Sequence, residues 1–259
     1  MALPSTVRIE QRNLVVSIVG QLLFAVRLVA IVASLITSVM LHNICQLFRQ
    51  HSPWPRLFLR SVSWISGIAI VTTGTRIRRN VFYASNHHSW IDIPVISGVT
   101  GCTFVANDGI ESWPLIGWLC KINNTIFVSR ENRLSVGDQI DNLRYAMTGD
   151  QPVTIFPEGS TSDGSGLLPF KASLFAALVP PPPGMMVQPV FLTYGRDTRR
   201  VAWVGSEKVT QNFWRLLSNL KPTTATLNFL EPFDPADYPD RKSISAEVRA
   251  RIGTAMAQS

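Results

Sequence analysis

One long apolar run dominates the N-terminal part of the chain. Residues 14–41 are almost continuously apolar, with Gln21 and Arg27 as the interruptions. The stretch 28–48 is bracketed by Arg27 and Arg49. It is long enough for a helix that spans a bilayer core, which needs about 20 residues. The pattern therefore predicts a helix that associates with a membrane.

Two arrangements of this helix fit the pattern. It either crosses the bilayer once, with arginines at its ends, or lies in one leaflet, alone or as a helix pair, without crossing. A cleaved signal peptide is disfavoured because the run is too long and no clear small-x-small cleavage site follows it. A buried core helix is the other alternative. Residues 53–64 mix aromatic side chains with arginines, a composition typical of the headgroup layer.

From about residue 66, short β-rich runs alternate with helical ones. Strands are predicted at eight places (68–72, 81–84, 103–106, 125–129, 153–156, 186–193, 201–204 and 225–229). Helices are predicted at three (130–148, 211–217 and 244–256). This alternation predicts an α/β fold with a mostly parallel central sheet flanked by helices, joined to the N-terminal membrane-associating helical element.

Composition and charge support a membrane surface as the partner. The chain of 259 residues is 46% hydrophobic and 16% charged, with a net charge of +7. Residues 1–79 hold nine arginines and one glutamate, so the basic excess lies in the most apolar part. Basic residues beside apolar runs are typical of anchors to anionic lipid, whereas nucleic-acid proteins place them among polar residues. We expect a helical segment, 1–60, that contacts membrane lipids, an α/β domain, 61–259, and no nucleic-acid partner.

The first candidate for chemistry is the sequence NHHSWIDIP, residues 86–94, which directly follows a predicted strand. His87 and Asp92 are five residues apart and would not meet on a regular helix, but they can meet in a strand-to-helix turn. Pro94 suits the first turn of the helix that follows. A carboxylate bonded to one imidazole nitrogen leaves the other nitrogen as a general base. The alternative is a turn histidine that caps a helix.

The second candidate is FPEGSTS, residues 156–162, which also leaves an apolar strand. The carboxyl ends of parallel strands are where such folds build their sites. Glu158 could accept hydrogen bonds from a polyol or charged headgroup, and Gly159 would allow close approach to the backbone. Lys171 and Arg130 are cations that could hold a phosphate, or they could be ordinary surface charges.

Several other chemistries lack support in the sequence. It contains no G-x-S-x-G elbow, no G-x-x-x-x-G-K-[ST] phosphate loop and no G-x-G-x-x-G turn. The three cysteines are far apart and form no CxxC pair, so a zinc site or a disulfide framework is not expected. Their usage fits a reducing compartment. The histidine pair has no ligand set at metal spacing, and we predict no metal site.

Four blocks in this order and spacing resemble the motifs of the glycerolipid acyltransferase family, whose best-known members are the 1-acyl-sn-glycerol-3-phosphate acyltransferases. NHHSWID (86–92) matches N-H-x4-D, and NTIFVSR (124–130) matches G-x-I-F-x-x-R with Asn124 in the glycine place. FPEGSTS (156–162) matches F-P-E-G-T-R-S, and VQPV (187–190) matches the short proline block.

The resemblance implies a role for each matching residue. His87 would be the general base and Asp92 its orienting partner, while Arg130 would contact the acceptor phosphate. The acceptor site would be shaped by Glu158, Gly159 and Ser160, and Pro189 would line the acyl-donor side or the pocket wall. Thr161 stands where the family usually has an arginine, which weakens the argument for a phosphate.

The resemblance also implies the reaction and its partners. The enzyme would move a fatty acyl group from a thioester cosubstrate, acyl-CoA or acyl carrier protein, to the hydroxyl of a lysolipid, with no metal or bound cofactor. The expected acceptor is 1-acyl-sn-glycerol-3-phosphate, which would give phosphatidic acid in phospholipid biosynthesis. Lyso-ornithine lipid or another lysolipid is the first alternative, and a thioesterase or a non-catalytic lipid-binding protein is a more distant one. The expected location is the bacterial inner membrane, with the active site on the cytoplasmic face.

Overall fold

The computed structural model describes residues 5–50, 52–128 and 136–259, with side chains from residue 17 onward except that of Val136. The helices are α1 Ser5–Leu47, α2 Trp54–Ile65, α3 Asp92–Thr100, α4 Pro114–Ile122, α5 Val136–Met147, α6 Thr198–Val201, α7 Val209–Leu217 and α8 Arg241–Ala257. The strands are β1 Ile68–Thr73, β2 Val81–Ser85, β3 Thr103–Asn107, β4 Ile126–Val128, β5 Val153–Ile155, β6 Met186–Thr193 and β7 Thr223–Phe229.

The strands form one sheet in the order β1-β7-β6-β2-β5-β3-β4. Every neighbouring pair is parallel except β6 and β7, which run antiparallel. All five residues of β2 are buried, as expected for a central strand that is covered on both faces. The predicted α/β fold with a mostly parallel sheet is confirmed. Because β2, β5 and β3 are parallel neighbours, their carboxyl ends share one edge of the sheet.

A hydrophobic core lies on each face of the sheet. On one face, Tyr83 of β2 and Leu192 of β6 pack with Val95 of α3. On the other face, Phe82 of β2 packs with Phe175 and with residues of α8. Alternate residues of β2 therefore serve opposite cores, and this burial fixes the register in which β2 delivers the loop that follows it.

The long helix α1 is apolar and largely exposed. Its segment Ser17–Leu47 is long and apolar enough to cross a membrane, and only 6% of its most apolar window is buried. The alternative of a buried core helix is therefore wrong. One stripe of α1 touches the rest of the chain: Arg27 donates to the carbonyls of Leu217 and Asn219, at 3.0 and 2.9 Å, and Ser34 Oγ lies 2.6 Å from Ser61 Oγ.

One predicted element is absent from the described residues, and another lies only partly within them. The strand expected at 201–204 is absent from the described sheet, because side chains take the backbone carbonyls that a neighbouring strand would have bonded. Asn212 Nδ2 donates to the carbonyls of Val201 and Ala202, and Arg215 donates to Ala202. The predicted helix 130–148 is confirmed over Val136–Met147, and its first six residues lie outside the described part of the chain.

Candidate active site

The loop after β2 brings His87 and Asp92 together. β2 ends at Ser85 and α3 begins at Asp92, so the two side chains flank a tight strand-to-helix turn. His87 Nδ1 lies 2.8 Å from Asp92 Oδ2. The turn makes this contact possible, since the five-residue spacing would separate the two side chains on a continuous helix.

Asp92 is fully buried, and both of its carboxylate oxygens are hydrogen-bonded. Oδ2 accepts from His87 Nδ1 and from the backbone N–H groups of His88 and Ser89, at 2.5 and 2.9 Å. Oδ1 accepts from the Tyr194 hydroxyl at 2.6 Å. Burial raises the pKa of Asp92, but the bond and the charge of His87, with help from His88 and Tyr194, outweigh it and hold that pKa below its usual value. The carboxylate is thus kept ionised beside the imidazole.

The ring of His87 is stacked on a neighbouring ring and stays partly exposed. It stacks on the Phe156 ring with centroids 3.9 Å apart and planes 12° apart, and Phe156 in turn stacks on Phe104. The His87 side chain keeps 16% of its surface exposed. Among the described residues, its Nε2 has no hydrogen-bond partner. This nitrogen is therefore available for a proton from a bound hydroxyl.

Glu158 ties the second loop to the first. Its Oε1 accepts from the backbone N–H of His87 at 3.0 Å, and its Oε2 accepts from that of Leu168 at 2.9 Å. The side chain is 3% exposed, and this burial raises the pKa of the carboxyl. Ser162 adds a second tie, because its N–H donates to the carbonyl of His87 at 2.8 Å. Glu158 thus holds the loop after β5 against the backbone of the loop after β2. Its contact with a headgroup stays a prediction.

Gly159 and Lys171 lie together at the rim of the site. Gly159 has a φ of +68°, the left-handed region that glycine favours, and a Cβ there would collide with the Lys171 ammonium. Lys171 is exposed, and its N–H donates to the carbonyl of Pro157 at 2.8 Å. Ser160 is also exposed. The structure therefore places the Lys171 cation beside the backbone of Gly159, the residue that follows Glu158.

Two predicted residues remain, Pro189 and Arg130. Pro189 is buried within β6 and pairs with Ala84, the residue before the last of β2. Arg130 lies outside the described residues. Asn124, in the glycine place of the same block, adopts a φ of +57°, which asparagine tolerates better than most residues.

Sequence reasoning missed three supports of the site. Asn86 joins β2 to β6, donating to and accepting from the backbone of Leu192 at 2.8 Å each way. Phe156 stacks on the His87 ring, and Tyr194 bonds Asp92. Asn86 and Phe156 each stand first in a sequence block that contains candidate site residues, and this position could have indicated their role. No local pattern marks Tyr194. Within the described ranges, no group of three or more His, Cys, Asp or Glu residues is placed to hold a metal ion.

The chain is similar to several known proteins. The family model described as Acyltransferase matches residues 69–193. A lyso-ornithine lipid O-acyltransferase from Rhizobium meliloti is 32% identical over 213 residues, covering 76% of this chain and 73% of the relative. One from Rhodobacter capsulatus is 29% identical over 218 residues, covering 80% and 79%. A 1-acyl-sn-glycerol-3-phosphate acyltransferase from Neisseria gonorrhoeae is 33% identical over 181 residues, covering 68% and 69%.

The fold has a solved counterpart. The crystal structure of a 1-acyl-sn-glycerophosphate acyltransferase from Thermotoga maritima superposes with a TM-score of 0.66 at 21% identity, covering 96% of each chain. At that identity the likeness concerns the fold alone. The sequence comparisons establish more than the fold. The family model matches residues across the central sheet, and relatives at 32% and 33% identity are covered over more than two thirds of their length. This chain therefore belongs to the acyltransferase family.

Proposed function

We propose that the chain transfers a fatty acyl group from a thioester donor to the free hydroxyl of a lysolipid. The observation that carries this is the His87–Asp92 pair, in which a buried carboxylate holds Nδ1 of a partly exposed ring and Nε2 has no hydrogen-bond partner among the described residues. This is the arrangement of an oriented general base. The donor would be acyl-CoA or acyl carrier protein.

The proposed reaction follows from that geometry. His87 Nε2 takes the proton from the lysolipid hydroxyl as the oxygen attacks the thioester carbonyl. Asp92 stabilises the imidazolium that forms. The tetrahedral intermediate then breaks its C–S bond, and the imidazolium returns the proton to the leaving thiolate. The products are an ester and a free thiol, so protons and bonds balance without an acyl-enzyme.

The acceptor headgroup would lie at the loop of residues 156–162. Lys171 above Gly159 offers a cation for an anionic headgroup, which favours 1-acyl-sn-glycerol-3-phosphate, the acceptor of the Neisseria relative. In this proposal Arg130 adds a second cation, Gly159 and Ser160 line the headgroup, and Pro189 supports the wall on the donor side.

A second acceptor is favoured by Thr161. Its hydroxyl donates to the carbonyl of Trp203, so this position ties two loops together and offers no charge. A phosphomonoester is usually held by several cations, whereas the zwitterionic headgroup of lyso-ornithine lipid needs fewer. Lyso-ornithine lipid is the acceptor of the Rhizobium and Rhodobacter relatives.

The test is an acyl-transfer assay with purified protein that offers both acceptors side by side. His87→Ala should lower transfer to the preferred acceptor by about 100-fold or more, the contribution of a general base, and leave membrane binding intact. His42→Ala, a histidine of α1 bonded to Ser52, is the matched control and should keep its activity. Full activity of the His87 variant would refute the proposal. Release of free fatty acid without an acylated lipid would assign a thioesterase instead.

We further propose that α1 lies in one leaflet beside the domain and does not cross the bilayer. Its contacts with later elements run from Phe24, whose ring centroid is 4.4 Å from that of Trp214, to Ser34, whose Oγ lies 2.6 Å from that of Ser61 in α2. These two residues are ten positions apart, about 15 Å of helix, and lie in the middle of the apolar segment. A crossing helix would have to leave its domain for about 30 Å. Contact in the middle of the apolar segment therefore favours a helix that stays at one face.

Helix α4 offers a second lipid contact. Four apolar side chains at its start are between 42% and 54% exposed (Trp113, Leu115, Ile116 and Trp118), and tryptophan at such a position suits the headgroup layer. A groove of about 540 Å³ separates Trp113 from the start of α7, the helix whose Trp214 contacts α1. The lipid-facing surface would thus reach from α1 towards the site, on the cytoplasmic side of the inner membrane where thioester donors are made.

Labelling of single cysteines separates the two arrangements of α1. In a chain freed of its three native cysteines, Ser5→Cys and Gln50→Cys mark the two ends of the helix. An impermeant maleimide should label both from the same side of oriented vesicles if the helix lies in one leaflet. Labelling from opposite sides would show a span and refute the proposal.

A further inference from the structure

Tyr194 reaches the candidate catalytic pair from a distant part of the chain. It is the first residue after β6 and follows Asp92 by 102 positions. Its hydroxyl donates to Asp92 Oδ1 at 2.6 Å, and the tyrosine is 3% exposed. The parallel pairing of β2 with β6 brings the two together, because their carboxyl ends lie side by side.

The two oxygens of Asp92 have different partners. Oδ2 receives three donors from the His87–Ser89 turn, whereas the bond to Oδ1 comes from outside that turn. The last side-chain torsion of an aspartate is broad, so a carboxylate held at one oxygen can still rotate. A donor on the second oxygen removes that freedom and keeps Oδ2 directed at His87 Nδ1.

We propose that Tyr194 is a positioning residue for acyl transfer, acting through Asp92 to hold the His87 imidazole in its reactive orientation. This inference rests on the proposed function. Tyr194 is buried, its hydroxyl is bonded to Asp92, and in the proposed reaction it touches neither substrate. Its effect therefore appears in the turnover rate and in its pH dependence, and not in the affinity for the acceptor.

The charge environment supports the role of Tyr194 as a fixed donor. The titratable groups that face Asp92 are His87, His88 and Tyr194, and Glu158 accepts from the backbone N–H of His87. Burial, together with the charge of Asp92, raises the pKa of Tyr194 well above its usual value, so the hydroxyl keeps its proton. Without this donor the carboxylate holds its own proton more tightly, and it loses its charge at a higher pH.

The experiment compares Tyr194→Phe with Tyr83→Phe in the full chain. Tyr194→Phe keeps the ring packed near His88 and deletes the hydroxyl alone. We expect kcat to fall about 3- to 10-fold, the rate equivalent of one hydrogen bond, with KM unchanged. The acid limb of the kcat profile should move to higher pH, because the carboxylate has lost a donor that lowers its pKa. Tyr83 is an equally buried tyrosine whose hydroxyl donates to the carbonyl of Ile77, and its variant should show neither change in kcat nor a moved limb.

A double variant tests the route through Asp92. If Tyr194 acts through that carboxylate, adding Tyr194→Phe to Asp92→Ala, which leaves Tyr194 no side chain to hold at position 92, should cost no further activity. Any one of three results would overturn the inference. They are an unchanged kcat and pH profile in Tyr194→Phe, the same shift of the profile in Tyr83→Phe, and full additivity of the two losses in the double variant. Failure of the wild-type chain to transfer acyl groups to any lysolipid would instead refute the proposed function.

Discussion

Replacing Asp92 by asparagine removes a charge from the site and preserves its shape. The amide oxygen can take the place of Oδ2 and accept from His87 and from the two backbone N–H groups, while the amide NH2 can donate to Tyr194. What the variant loses is the negative charge beside the imidazolium that forms during the reaction.

The magnitude follows from the type of bond that is weakened. A hydrogen bond to a charged group contributes about 1.5–3 kcal/mol. If that contribution is made mainly in the transition state, kcat should fall about 10- to 150-fold. KM for the lysolipid should change little, because Asp92 is fully buried and cannot touch the acceptor.

The assay measures kcat and KM with both acceptors in mixed micelles, and uses Asp240→Asn as a control. Asp240 caps the exposed start of α8 through Ser243, and asparagine caps equally well, so this variant should behave like the wild type. A kcat of Asp92→Asn within threefold of the wild type would refute the role of the carboxylate. A rise in KM alone would assign Asp92 to binding.

The same variant has a signature in stability. The pKa of Asp92 is lowered in the folded chain, so its ionised form stabilises the fold above the ordinary carboxyl range. That stabilisation is lost as the pH falls through the lowered pKa, below about pH 4. Asp92→Asn should therefore lose less stability on acidification than the wild type, as thermal unfolding at pH 3 to 7 can measure.

Three further changes test the loops and the helix contact. Gly159→Ala should destabilise the chain by about 1–2 kcal/mol through its left-handed backbone and should displace Lys171, raising KM for an anionic acceptor; an unchanged KM would remove Lys171 from the acceptor site. Glu158→Gln should lower Tm because one backbone N–H would face an NH2 group, a cost of about 1–3 kcal/mol, whereas Glu247→Gln on the surface of α8 should not. Arg27→Leu should weaken the contact of α1 with the end of α7 and lower the urea midpoint; an equal midpoint would show that this contact adds no stability.

Local patterns predicted most of the elements. The strands β2, β5 and β6 are short apolar runs between turn signals, and α8 shows a helical pattern over many residues. Helix α4 was not predicted, because its nine residues are apolar almost throughout and leave no helical period to read. The strand expected at 201–204 was predicted but does not form. Its apolar pattern resembles that of a strand, but its backbone carbonyls are bonded by side chains of α7 and not by a neighbouring strand.

The sequence alone determined the apolar N-terminal helix, the alternation that builds a parallel sheet, and the pairing of His87 with Asp92, because each depends on residues close together in the chain. Tertiary structure decided how that pair is supported. The order of the strands brings Tyr194 to Asp92 and Glu158 to the backbone of His87, and no local pattern encodes a contact across 102 or 71 residues. The role of Arg27 was also decided by tertiary structure. In the sequence it interrupts an apolar run, whereas in the folded chain it bonds α1 to the carbonyls at the end of α7. Its charge can be bonded in this way only once the two helices are packed together.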